Sequence, residues 1–280
     1  MKYFILPLLA VAPLFTLAQK LHADLFGGVA TYQGELEQKR FSIKQSRPAV
    51  GIGASYDITD KFIARTGFTY GVVEGNDKNN VGAKGTALRN LSFKSAITEL
   101  HLGLEYNLFK LEGKSLTPYI FAGVAGYHFN PYTKDEVGNK VFLKPLSTEG
   151  QGLEAYPDRK NYKLTQLALP FGGGIKFKVS EDIQIGLELG LRKLFTDYLD
   201  DVSDTYVDAA ILQAARGSQA VQLAFRGDDI NPASTYPGAG AQRGNPKTKD
   251  WYYFSGLRIS KLLNGNGGGR DKLGCPRVSF

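Results

Sequence analysis

The feature that most restricts this chain is a two-residue hydropathy period that returns in segment after segment. Val50, Ile52, Ala54, Tyr56 and Ile58 alternate with Ala49, Gly51, Gly53, Ser55 and Asp57. After a break at 59–61, Phe62, Ala64, Thr66, Phe68, Tyr70 and Val72 alternate with Arg65, Gly67, Thr69 and Gly71. Leu100, Leu102, Leu104 and Tyr106 alternate with Glu99, His101, Gly103 and Glu105. Leu167, Leu169, Phe171, Ile175 and Phe177 alternate with Gln166, Ala168, Gly172, Gly174 and Lys176, and Ile183, Ile185, Leu187, Leu189 and Leu191 with Gln184, Gly186, Glu188, Gly190 and Arg192. Successive strand residues point to opposite faces, so period two means strands with two chemically different sides. Strands over about 21–32, 119–129 and 251–262 bring the number to eight, each long enough for a tilted membrane crossing of about 9–11 residues.

A soluble sandwich and a membrane barrel both produce such alternation, and the connections separate them. Those at 59–61, 110–116 and 180–182 are short, whereas those at 33–47, 75–89, 130–163 and 196–249 are long. Short and long alternate strictly, which sorts them to opposite ends of a barrel; a sandwich has no reason to segregate its loops. The expected fold is therefore all-β: an eight-stranded antiparallel transmembrane β-barrel with short periplasmic turns and long extracellular loops. Tyr56, Phe62, Tyr106, Phe109 and Phe177 are expected to form the periplasmic aromatic girdle. Phe68, Tyr70, Tyr127, Phe129, Phe195, Tyr198, Trp251 and Tyr253 are expected to form the outer one. Two irregularities stand out. Apolar parity slips between Ile97 and Leu100, which a bulge near Thr98 or a strand continuing past the membrane would explain. The 119–129 strand is apolar on both faces. The Ala-rich 207–223 stretch reads as helix packed on the rim.

Residues 1–18 read as a cleaved secretory signal: Lys2, an apolar run at 4–17 broken by Pro7 and Pro13, and Thr16-Leu17-Ala18 before Gln19. The barrel is placed at 19–263 and a Gly-rich periplasmic tail at 264–280, and the destination is the outer membrane. No later stretch approaches 18 uninterrupted apolar residues, which excludes helical spans. The formal charge of +7 comes from 34 basic and 27 acidic residues that alternate in sign, so there is no basic tract for nucleic acid.

An eight-stranded barrel is just wide enough for its side chains to fill it. The inward parity collects Arg65, Glu99, His101, Glu105, Lys176, Glu188 and Arg192, which must pair if the space is dry. A salt-bridged plug is expected rather than a channel. His101 beside Glu99 or Glu105 fits an acid–base pair or plain lumen packing, and packing is the simpler reading. His22, His101 and His128 lie on separate strands without metal-ligand spacing. There is no G-x-S-x-G elbow, the Gly113-Lys114-Ser115 run lacks the first Gly of a phosphate-binding loop, and no cofactor, small-molecule substrate or enzymatic activity is expected. Asp197, Asp200, Asp201, Asp204 and Asp208 could hold calcium, but they lack the spacing of a calcium loop and read as a solvated acidic run. The single Cys, Cys275, excludes an internal disulfide.

Several segments carry a family likeness: Gly27-Gly28-Val29-Ala30-Thr31-Tyr32-Gln33-Gly34-Glu35-Leu36, Arg89-Asn90-Leu91-Ser92-Phe93-Lys94-Ser95, Leu146-Ser147-Thr148-Glu149-Gly150-Gln151-Gly152, and above all Glu188-Leu189-Gly190-Leu191-Arg192-Lys193 with Asp197-Tyr198-Leu199-Asp200-Asp201-Val202-Ser203. Asp250-Trp251-Tyr252-Tyr253-Phe254 and Cys275-Pro276 complete it. The chain resembles PorG-like outer-membrane barrels of Bacteroidota, components of the type IX secretion system. The resemblance implies a non-enzymatic barrel, seated in outer-membrane lipid, that ties a periplasmic PorK–PorN ring to the membrane. Lys110, Glu112, Lys114, Asp271, Lys272 and Cys275, in one turn and the tail, are the candidate partner contacts. A surface-exposed structural or binding barrel of small porin-like type is the alternative, with the long loops as its working surface.

Overall fold

A computed structural model describes residues 20–39, 43–79, 86–111 and 115–263. The expected signal segment, Glu112, Lys114 and the tail with Asp271, Lys272 and Cys275 lie outside the described residues. Ten strands form one sheet: β1 (Leu21–Gln33), β2 (Arg47–Asp57), β3 (Phe62–Asn76), β4 (Ser92–Asn107), β5 (Leu116–Phe129), β6 (Tyr132–Lys134), β7 (Lys140–Phe142), β8 (Thr165–Lys178), β9 (Ile183–Leu194) and β10 (Trp251–Leu262). Eight of them close a ring in the order β1, β2, β3, β4, β5, β8, β9, β10, because β3 pairs with β4 and β10 pairs with β1. The small β6–β7 hairpin extends β4 above the rim through the pair Lys94 and Tyr132. Following paired residues once round from His22, by way of Ser55, Arg65, Gly103, Arg192 and Tyr252, returns to β1 at Tyr32, ten residues further along. That offset tilts the staves, as closure requires.

The alternation works as the sequence implies. Leu25, Ile52, Phe68 and Leu100 are neighbours across three ladders, and each is 46–65% exposed. Leu102 beside Val124 and Leu187 beside Leu257 continue the belt. A contiguous apolar belt right round a closed barrel is unfavourable in water and stable against hydrocarbon, so the strands are membrane-spanning. Among the described residues no helix is long and apolar enough to cross.

The apolar core sits at one end. Inward residues of the strand tops, among them Tyr32, Val73, Phe93, Ile97, Phe129, Leu194 and Tyr252, pack against Leu36, Leu146, Leu199, Val202 and Val207 of the long loops. This cap includes α2 (Ala209–Arg216) and α3 (Ser218–Ala224), which follow the single-turn α1 (Thr86–Arg89) in the chain and contribute Leu212, Ala220, Leu223 and Ala224. Asp208 starts α2 by accepting the amides of Ala210 and Ile211 at 2.9 and 3.0 Å. The expected rim helix is thus two short helices.

The cap explains both irregularities and corrects part of the girdle. The β3–β4 ladder runs from Asn76–Ser92 to Phe62–Tyr106 with no bulge. Odd residues of β4 point inward throughout; Phe93 and Ile97 are apolar because they meet the cap, whereas Glu99 and Glu105 lie deeper. On β5, Ile120 and Val124 face outward and are 58% and 57% exposed, while Tyr119 and Phe121 fill the lumen. Phe68, Tyr70 and Phe195 are exposed as a girdle demands, but Tyr127, Phe129 and Tyr253 are buried. Tyr198 is drawn into the cap, stacked on Tyr162 at 4.9 Å. At the other end Phe62 packs on Tyr106 with centroids 5.0 Å apart.

Candidate functional site

Two polar constellations occupy the interior. The first is the lumen cluster. Arg65 on β3 grips Glu188 on β9 through two bonds of 2.8 and 3.0 Å. Glu105 on β4 accepts from Lys176, from Arg258 at 2.7 Å and from Arg65 at 3.5 Å. Arg258 also reaches Asp24 at 2.7 Å, and Ser260 donates to the same carboxylate at 2.5 Å. Higher up, Arg192 holds Glu99 by two bonds of 2.9 Å, and Tyr252 adds a third donor at 2.6 Å. Arg65, Lys176, Arg192 and Arg258 therefore balance Asp24, Glu99, Glu105 and Glu188, all of them buried. Ring faces complete the lining: Phe121 lies 4.3 Å from the Arg65 guanidinium and Phe254 lies 4.5 Å from that of Arg192.

The pairs Arg65–Glu188 and Arg258–Glu105 join strands four places apart in a ring of eight, so they cross the full bore. The void beside them is about 30 Å³, space for a water or two. All seven lumen residues read from the sequence line this interior. His101 sits by Glu99, with Nδ1 3.5 Å from Oε1, and not by Glu105. Gly67 makes the room: a Cβ there would stand 2.8 Å from His101 Cε1. Asp24 and Arg258 escape the sequence reading, although Asp24 precedes outward Leu25 and Arg258 lies between outward Leu257 and Ile259.

The second constellation lies in the cap. Two ion pairs are buried there: Arg89 with Asp77 at 2.8 Å, within the β3–β4 loop, and Arg243 with Glu149 at 2.9 Å, between two loops. Asp201 accepts from Thr148 at 2.5 Å and Tyr162 at 2.7 Å. Beside them stand Glu35, Asp197, Asp200 and Asp250. Tyr32 donates to Asp200 at 2.5 Å and to Asp250 at 3.2 Å, and the Leu199 amide donates to Asp250 at 2.9 Å. Carboxylate oxygens of Glu35, Asp197 and Asp250 lie within 4.8 Å of one another. Burial pushes the Asp197 carboxyl up to about 6. Burial, reinforced by Asp200 and Glu35, raises Asp250 well above the usual carboxylate range. The expectation of a solvated acidic run therefore fails: Asp197, Asp200 and Asp201 are at most 2% exposed, because the cap closes over them. Asp208 caps α2, and Asp204 lies beside Arg159, 3.8 Å away.

At the turn end, Lys110 pairs with Asp60 at 2.5 Å, linking two short connections, and both side chains are about half exposed. Of the six candidate partner contacts, only Lys110 falls among the described residues.

A closed ring of eight antiparallel strands, greasy outside and braced by charge inside, defines a membrane-spanning β-barrel with a plugged lumen. The chain belongs to the family described as "Domain of unknown function (DUF6089)", whose model matches residues 1–215. No curated protein matches the sequence. Among solved structures it is similar to Neisserial surface protein A, at 10% identity over 88% of this chain and 97% of that one, with a TM-score of 0.37. It is also similar to Ail of Yersinia pestis (6% identity, 88% and 99% covered, TM-score 0.40). A major outer membrane protein of Thermus thermophilus shares 13% identity, with 88% and 100% covered and a TM-score of 0.40. The fold assignment rests on the chain's own ladders.

Proposed function

We propose that this barrel is a non-conducting anchor in the outer membrane and belongs to the type IX secretion machinery, where it ties a periplasmic ring of PorK–PorN type to the membrane. The observation that carries the anchor reading is the crossed bore. Arg65–Glu188 and Arg258–Glu105 brace opposite staves, which makes a stiff post and a poor conduit. The secretion role rests on the sequence likeness, carried most strongly by 188–203. Docking falls on the turn end, through Lys110 and its neighbours and the 264–280 tail.

The test is co-purification from envelopes. Removing 264–280 should release the ring while the barrel keeps its heat-modifiable gel migration, and Lys110→Glu should weaken the association further. A full complement of ring protein on the truncated barrel would overturn the proposal. The packed cap supports a second reading, a surface-binding barrel that works through its outer loops. Gene deletion separates the two: stalled cargo export points to the anchor, and lost adhesion with normal export points to the binder.

A further inference from the structure

Three carboxylates of the cap, Asp197, Asp200 and Asp250, pose a charge problem that the lumen does not. Asp77 has Arg89, Glu149 has Arg243, and each lumen acid has its cation. Among the described residues no ion pair reaches Asp197, Asp200 or Asp250. Lys249 is near Asp197, but its ammonium donates to the Pro246 carbonyl at 2.9 Å. Asp197 carries the sharpest sign. Its Oδ2 accepts from Ser203 Oγ at 2.8 Å, while its Oδ1 is buried with no hydrogen-bond partner. A buried carboxylate oxygen without a donor is unfavourable unless something cationic meets it.

We infer that Glu35, Asp197 and Asp250 form a calcium site on the outer rim of the barrel. Three adjacent staves present the ligands: Glu35 lies two residues beyond β1, Asp250 immediately before β10 and Asp197 three residues beyond β9. Two oxygens on one Ca²⁺, each at roughly 2.3–2.6 Å, stand at most about 5 Å apart. The 4.8 Å spread of this trio is therefore that of a single coordination sphere. The donors are all carboxylates, which suits a hard ion of loose geometry; Mg²⁺ demands tighter octahedral packing, and Zn²⁺ favours nitrogen and sulfur. Gly34 keeps the site open, since a Cβ there would collide with Asp250 Oδ1 and the Tyr32 hydroxyl. With calcium bound, the loops after β1 and β9 and the entry to β10 become one clamped unit.

The experiment uses the full-length protein in detergent, stripped with EGTA and titrated with CaCl₂ by calorimetry. One Ca²⁺ per chain is expected, with a dissociation constant at or below about 1 mM and Mg²⁺ binding at least about tenfold weaker. Asp197→Asn and Glu35→Gln should each weaken calcium about tenfold or more, and Glu181→Gln, at the opposite end, should not. Calcium should also slow proteolytic cleavage within 195–250 in the native protein and leave Asp197→Asn unprotected. Terbium luminescence sensitised by Tyr32 and competed by calcium gives a readout that needs no variant to fold. Absence of both calcium heat and calcium protection at about 10 mM, ten times the weakest extracellular affinities, would sink the site. Undiminished affinity in folded Asp197→Asn would sink it equally.

Discussion

The lumen and the cap solve the same problem in opposite ways. Both bury several carboxylates in a space closed to bulk water. The lumen supplies four cations from its own staves and leaves each acid with a partner. The cap commits its two buried arginines to Asp77 and Glu149, leaving Asp197, Asp200 and Asp250 with a tyrosine, a serine and backbone amides. Neutralising one acid should therefore have opposite effects in the two regions.

The largest break comes at Glu105. Glu105→Ala strands Lys176, leaves Arg258 to Asp24, and should cost about 3–5 kcal/mol, read from urea unfolding in micelles. Replacing Arg192 and Glu99 together by leucine should cost less than either single change, since the pair leaves no orphaned charge. A cation placed on the other side of the wall sharpens the point: Leu102→Arg should destabilise by about 2–4 kcal/mol in bilayers, with no acid to meet it. In the cap, Asp208→Ala should loosen only α2, by about 1 kcal/mol, seen as faster amide exchange over 209–216. The smallest change carries the reversed sign. In chelator, Asp197→Asn should raise cap stability by up to about 1 kcal/mol, because the amide gives Glu35 and Asp250 a donor. A clear loss there would show that the two regions follow one rule after all.

Much of the barrel is legible in the sequence because its chemistry is local. Each stave announces its two faces through parity, and loop length announces its ends. Parity alone places Arg65, Glu99, Glu105, Lys176, Glu188 and Arg192 in the lumen. It does not give height along the barrel, however. Tyr127 and Phe129 read as girdle residues and are core, since an aromatic near a strand end meets headgroups outside or the cap inside. The acidic run at 197–208 misleads for a related reason. Whether Asp197 is wet depends on 195–250 folding back over it, a long-range event that spacing does not encode. Glu35 and Asp250, far from Asp197 in sequence, join it only through the β1–β10–β9 neighbourhood.

Arg258 stands on the last stave to be made, yet it holds Asp24 on the first and Glu105 on the fourth. Until β10 arrives, those two acids lack a shared counter-charge and β1 has an open edge. Biogenesis therefore ends with a latch: zipping the terminal strand against the first also completes the internal wiring. A chain stopped short of Trp251 carries uncompensated charge into the bilayer, which is a physical reason for half-made barrels to stay in the hands of chaperones.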